Sequence, residues 1–210
     1  MKHKIPLLSV YVMLVLILTS SHRLHGQNYH GSWAWPSAGD VPTTIPWFYG
    51  AGLPISLRTD SSIEISVWDW SDWIFFTNVS SGINIDAENF GRNNRLGVTT
   101  TYISGTTIAY GYPTQRITGA HIKMNLAYYS PIPMATYFWF QSSSSPPWGT
   151  FPMTLAYHYP SAVAHEIGHA LGLDHDIAGI MIDGLPYNTV RYVYPEGHYA
   201  ICITHGPGIC

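Results

Sequence analysis

The stretch that decides the fold is His165-Glu166-Ile167-Gly168-His169-Ala170-Leu171-Gly172-Leu173-Asp174-His175. Pro160 and Ser161 open a helical run just before it, and Ala164, Ala170 and Leu171 keep that run well formed. Residues four apart on a helix share a face, so the imidazoles of His165 and His169 can reach one ion. Glu166 is offset from that face by one position, near enough to touch a water on the ion. Gly172 can take a left-handed conformation that ends the helix, and the turn after it can swing His175 back. Three imidazole nitrogens plus one water make the donor set of a catalytic zinc rather than a closed structural one. Two histidines and a glutamate on a helix also occur in buried polar networks; five fixed positions with a helix stop among them do not arise that way.

Working outward, the other elements are read from periodicity. Leu53 to Arg58 alternates apolar and polar residues and is expected to be a first strand. Asp60 or Ser61 then caps a helix whose apolar stripe is Ile63, Val67, Trp70 and Ile74. The β-branched runs Leu96–Tyr102, Thr106–Tyr110 and Arg116–Asn125 are expected to be strands. Residues 27 to 46 are rich in Gly, Pro, Ser and Trp without a period, which predicts an extended segment rather than a core element. Tyr129 to Pro152, with several prolines and four consecutive serines, is a long surface connection. Strands followed by a helix that carries the polar cluster indicate an α+β domain.

Composition narrows the function. The 210 residues are 46% hydrophobic and only 10% charged, with a formal net charge of −3. One good core is affordable, and there is no basic field for nucleic acid. Lys2 and Lys4, the apolar run from Pro6 to Leu18 and the small polar residues Thr19 to Ser21 form an export signal, cut after Ser21 or Gly26. The run is short for a membrane span, for which about 20 residues are needed, although an uncleaved anchor is the alternative. The expected product is therefore secreted, extracellular and monomeric, with no membrane attachment after cleavage. Cys202 and Cys210 are the only cysteines; an export route permits a disulfide between them, and sequence leaves the pairing open.

The run from His165 to His175 resembles the zinc motif of the metzincin metallopeptidases. That resemblance implies one catalytic Zn2+ on His165, His169 and His175, Glu166 as general base and acid, and Met181 in a tight turn beneath the ion. Within the clan the matrixin branch is the most similar. Ile63 to Trp70 looks like its first helix, Ile117 to Asn125 like its substrate-binding edge strand, and Glu196 to Gly206 like its last helix. The implied fold is zincin-like: a twisted, mostly parallel five-stranded sheet with three helices over residues 44–210. It would follow a signal peptide over 1–26 and an extended segment or short propeptide over 27–43. The implied activity is that of a metalloendopeptidase acting on extended peptides or proteins.

The sequence also departs from the matrixin pattern. No cysteine precedes the catalytic helix, so a cysteine latency switch is absent. The loop that binds a second zinc is missing, and no calcium site is indicated. Asp176 follows the third His as in the adamalysin branch. Asp40, after Ala38-Gly39, resembles the aspartate switch of astacins and is a candidate latency residue; the bland alternative is a solvated loop Asp. Tyr187 is a candidate wall of the substrate pocket. His121, His158 and His198 are expected to be solvated or core residues, and Asn78-Val79-Ser80 is a glycosylation sequon. The rival to a peptidase is a non-catalytic binding module on the same fold, whose mark would be loss of Glu166 or of a zinc ligand.

Overall fold

The computed structural model describes residues 33–36, 43–69, 74–93, 95–109, 112–129, 137–140, 155–175, 179–187, 189–191 and 193. The export signal, Asp40, most of the 130–152 connection, the last helix expected over 196–206, and Cys202 and Cys210 lie outside the described residues. Among those described, no helix is long and apolar enough to cross a membrane.

In chain order the elements begin with strands β1 (Trp33–Ala34) and β2 (Thr43–Tyr49), helix α1 (Ile55–Trp68), and strands β3 (Ile74–Asn78) and β4 (Ile83–Glu88). They continue with β5 (Gly97–Ala109), β6 (Tyr112–Asn125), a 3-10 turn over Leu126–Tyr128, β7 (Tyr137–Phe140), β8 (Leu155–His158) and α2 (Tyr159–Ala170). Strands β3, β2, β4 and β6 lie side by side and parallel. β5 runs antiparallel to β6 on its far side, and the two-residue β1 joins β6 at Gln115 and Arg116. The five long strands thus form a mostly parallel sheet, as expected. Two α-helices are present among the described residues, where three were expected. β7 and β8 form a separate parallel pair.

Alternation with period two sets the inner face of the sheet. Thr43, Ile45 and Trp47 of β2, Ile83 and Ile85 of β4, and Ala120, Ile122 and Met124 of β6 are buried there; Ile117, also buried, lies beyond the shift in the β5–β6 register. Leu57, Ile65 and Trp68 of α1 and Val163, Ala164 and Ile167 of α2 belong to the same core.

Three expectations fail, each for a physical reason. Residues 53–58 are not a strand: the chain turns at Ala51 and Gly52, with the Leu53 amide donating to the Gly50 carbonyl, Pro54 is the N-cap, and α1 begins at Ile55, which is 80% exposed. The buried stripe of α1 is Leu57, Ser61, Ile65 and Trp68, while Ile63 is 51% exposed and Ile74 belongs to β3. Ser61 can occupy a core position because its hydroxyl donates to the Leu57 carbonyl (2.9 Å) and meets the Tyr159 hydroxyl (2.8 Å). The packed tryptophan is Trp68, whose indole N–H donates to the Ala164 carbonyl of α2 at 3.1 Å.

Second, Ile117–Asn125 is interior to the sheet, between β4 and β5; among the described residues β5 is the edge strand on that side and β3 the edge on the other. Gly97–Tyr102 and Thr106–Ala109, from the two strands expected over Leu96–Tyr102 and Thr106–Tyr110, are parts of this one β5, whose register shifts around Ile103. Third, part of the N-terminal segment is core. Ala34 and Trp35 are buried, and the Trp35 indole donates to the Ala170 carbonyl at the end of α2 (2.9 Å).

Candidate metal centre

Helix α2 begins with His158 as N-cap, its Nδ1 accepting from the Ser161 amide at 3.3 Å, and Pro160 sits in the first turn. Burial lowers the His158 pKa to about 4, so the ring stays neutral and can accept. The helix ends where Gly172 takes φ 93°; the Leu173 amide donates back to the Gly168 carbonyl at 3.0 Å. This is the left-handed stop the sequence predicts.

The three histidines converge. Nε2 of His169 lies 3.0 Å from Nε2 of His165 and 3.2 Å from Nε2 of His175. Among the described residues they are the group of potential ligands able to hold one metal ion. The tautomers follow from the partners. Nδ1 of His165 lies 2.7 Å from the Ile180 carbonyl, and Nδ1 of His169 lies 2.8 Å from the Leu173 carbonyl. A carbonyl only accepts, so both Nδ1 atoms carry the proton and both Nε2 atoms present lone pairs. Lone pairs pointed at one another are favourable only around a cation. A tetrahedral site with bonds of about 2.0–2.1 Å needs nitrogens roughly 3.3 Å apart. The donor set and its spacing therefore fit zinc. Burial, and then the neighbouring His169, hold the His165 pKa down near 4, which keeps its lone pair available.

Met181 is fully buried beneath the helix. Its sulfur occupies the space that a Cβ on Gly168 would need, so the Gly in the ligand helix is required by the Met. The preceding residue, Ile180, supplies the carbonyl that orients His165. Met181 thus lies against α2 beside the ligands.

Glu166 is 7% exposed, and its Oε2 accepts from the Thr99 hydroxyl of β5 at 2.6 Å. Burial raises its pKa to about 7, against a smaller lowering by Thr99. The Cα of Gly97 lies so close that a Cβ there would meet Glu166 Cγ and Oε1 at 2.7 Å. A cleft follows β5 past these groups. One lobe of about 450 Å³ runs toward Asn93, Asp183 and Leu185, the other of about 470 Å³ toward Thr101, Leu173 and Asp174. Both are walled by Arg95, Gly97, His165, Glu166 and His175.

Sequence reasoning finds His165, Glu166, His169, His175 and Met181, and the fold brings all five together. It misses Gly97 and Thr99. The available signal is a Gly opening a Thr-rich strand, which marks a close approach of another group. Tyr187 contacts Tyr157 at 4.5 Å between ring centroids and lines neither lobe. His121 lies 3.8 Å from Asp86 and is not one of the three clustered histidines.

Neither a protein-family model nor a curated protein matches the sequence. Among solved structures the chain is similar to high choriolytic enzyme 1, a hatching enzyme zinc-protease from the medaka fish Oryzias latipes. The identity is 11% and the TM-score 0.42, over 82% of this chain and 93% of that one. A likeness at that level carries no argument, and the functional case rests on the site itself.

Proposed function

We propose that the chain is a secreted zinc-dependent endopeptidase of metzincin type. The observation that carries this reading is the convergence of three imidazole Nε2 atoms, two of them fixed in tautomer by carbonyls, beside a buried glutamate in a cleft. Zinc, when bound, supplies Lewis acidity toward water and toward a peptide carbonyl. The chain's own groups do the rest. His165, His169 and His175 would hold the ion, and the Ile180 and Leu173 carbonyls keep two of the rings in place. Glu166 would take a proton from the attacking water and return it to the leaving amine, a role suited to a buried carboxylate held beside the ligands by Thr99. An extended substrate would pair with β5 along the side away from β6, which among the described residues carries no strand and borders the cleft.

The rival reading is a non-catalytic binding module on the same scaffold. Retention of all three histidines and of Glu166 favours the enzyme. The test is zinc content together with cleavage of casein, with and without chelator, for the exported chain and two variants. Glu166→Ala should keep zinc and lose roughly 10²–10⁴-fold or more in rate. His165→Ala should lose the metal. Zinc-loaded wild type that cuts nothing, or Glu166→Ala that cuts at the wild-type rate, would refute the mechanism.

A further inference from the structure

The carboxylate of Glu166 is held by a strand, not by its own helix. Thr99 Oγ1 lies 2.6 Å from Oε2, within the range of a charge-assisted O–H···O⁻ bond, and 3.0 Å from the Glu166 backbone carbonyl. Thr99 is itself fixed, because β5 is locked to β6 in antiparallel register with Thr99 opposite Ile122. On the other side Gly97 leaves only enough room for Cγ, Cδ and Oε1. Glu166 is therefore clamped between two residues of one strand: Oε2 is committed to a hydroxyl, and Oε1 lies beside a glycine that cannot grow a side chain. A glutamate has three rotatable bonds, and nothing in α2 itself would select this conformer.

We infer that Thr99 is a positioning residue for the general base, fixing Oε2 so that Oε1 is the oxygen that handles the proton, with Gly97 as the clearance that permits it. The inference rests on the proposed peptidase reading for its catalytic meaning, while the clamp itself is independent of it. A reacting group displaced by about 1 Å typically costs on the order of 10²-fold in rate. The hydroxyl is the essential part: Ser can replace it, whereas Val keeps the shape and loses the donor.

Two measurements on the full-length exported chain test this. In steady-state cleavage by the zinc-loaded protein, Thr99→Val should lower kcat roughly 10- to 100-fold with KM little changed and zinc content intact. Thr99→Ser should recover most of the loss, and the same contrast should separate Thr99→Ser from Thr99→Ala. The second measurement is a double-mutant cycle in urea unfolding, with Thr99→Val and Glu166→Ala alone and together. Thr99→Val should lower the unfolding midpoint in the wild-type background and lower it clearly less when Glu166 is Ala, where only the bond to the residue-166 backbone carbonyl is left to lose. An equal shift in both backgrounds, an undiminished kcat in Thr99→Val, or a Ser variant as impaired as Val would each overturn the inference. A zinc-loaded wild type that cleaves nothing refutes the proposed function instead, and the cycle still decides whether Thr99 holds Glu166.

Discussion

Gly168→Ala sets two effects against each other within the ligand helix. Intrinsic helix propensity favours Ala over Gly by about 1 kcal/mol, because the substitution removes backbone freedom from the unfolded chain. Packing opposes it. The new Cβ would fall inside contact distance of Met181 Sδ, with Cε at 3.1 Å and Trp68 Cζ2 at 3.4 Å. Met181 and Trp68 are buried at 0% and 1% exposure, so neither side chain can swing out to solvent. Forcing a methyl into such a site typically costs about 1–3 kcal/mol. With the contact this close overpacking should win, leaving a net loss of up to about 2 kcal/mol. The displaced Met181 also shifts Ile180, whose carbonyl orients His165 at 2.7 Å, so zinc affinity should fall as well. Urea unfolding and competition against a chromophoric zinc chelator read the two effects. Adding Met181→Ala should remove most of the penalty specific to Gly168→Ala, since the clash disappears. A Gly168→Ala protein as stable as wild type, with unchanged zinc affinity, would refute the reasoning.

Two further outcomes follow from contacts away from the ion. Trp35→Phe removes the 2.9 Å indole bond to the Ala170 carbonyl and strands a buried acceptor at the end of α2, which should cost roughly 1–3 kcal/mol in urea unfolding. Glu64 on α1 has its pKa raised to about 7 by burial and, secondarily, by Asp60. Its unfolded pKa is the lower value, so its contribution is fully present below about pH 4.5 and is lost as pH rises through 7. Glu64→Gln should therefore raise stability at pH 8, by roughly 1–2 kcal/mol after allowance for solvent screening, and leave it nearly unchanged at pH 4. A midpoint difference independent of pH would count against this.

What could be read from the sequence was what neighbouring residues decide among themselves. His165, Glu166 and His169 are set by helical spacing, and Gly172 by its freedom at positive φ, so the cluster able to hold a metal emerges without knowledge of the fold. The α1 stripe was misread because one of its core positions is Ser61. That serine is buried with its hydroxyl bonded to the Leu57 carbonyl and facing the Tyr159 hydroxyl, a partner 98 residues away. Trp35 reads as part of an aperiodic strap because its partner at Ala170 is 135 residues distant. The edge strand was misplaced for a similar reason. β5 and β6 are both β-branched and of similar pattern, and only the pairing of β6 with β4 assigns β5 to the border. Thr99 and Gly97 become visible as site residues only once that border is known.

The division of the ligands between helix and turn has a simple geometric origin. An α-helix rises about 1.5 Å per residue, so ligands four apart stand about 6 Å apart along the axis and can lean onto one ion. If the helix ran on, His175 would stand roughly 15 Å from His165 along that axis, out of reach of any shared ion. The reversal at Gly172 brings its Nε2 to 3.2 Å from that of His169. The same reversal turns the Leu173 carbonyl onto Nδ1 of His169, fixing the second ligand with the backbone that delivers the third. One residue of positive φ thus accounts both for the third imidazole and for the tautomer of the second. This is why Gly172 belongs to the site although it offers no ligand atom.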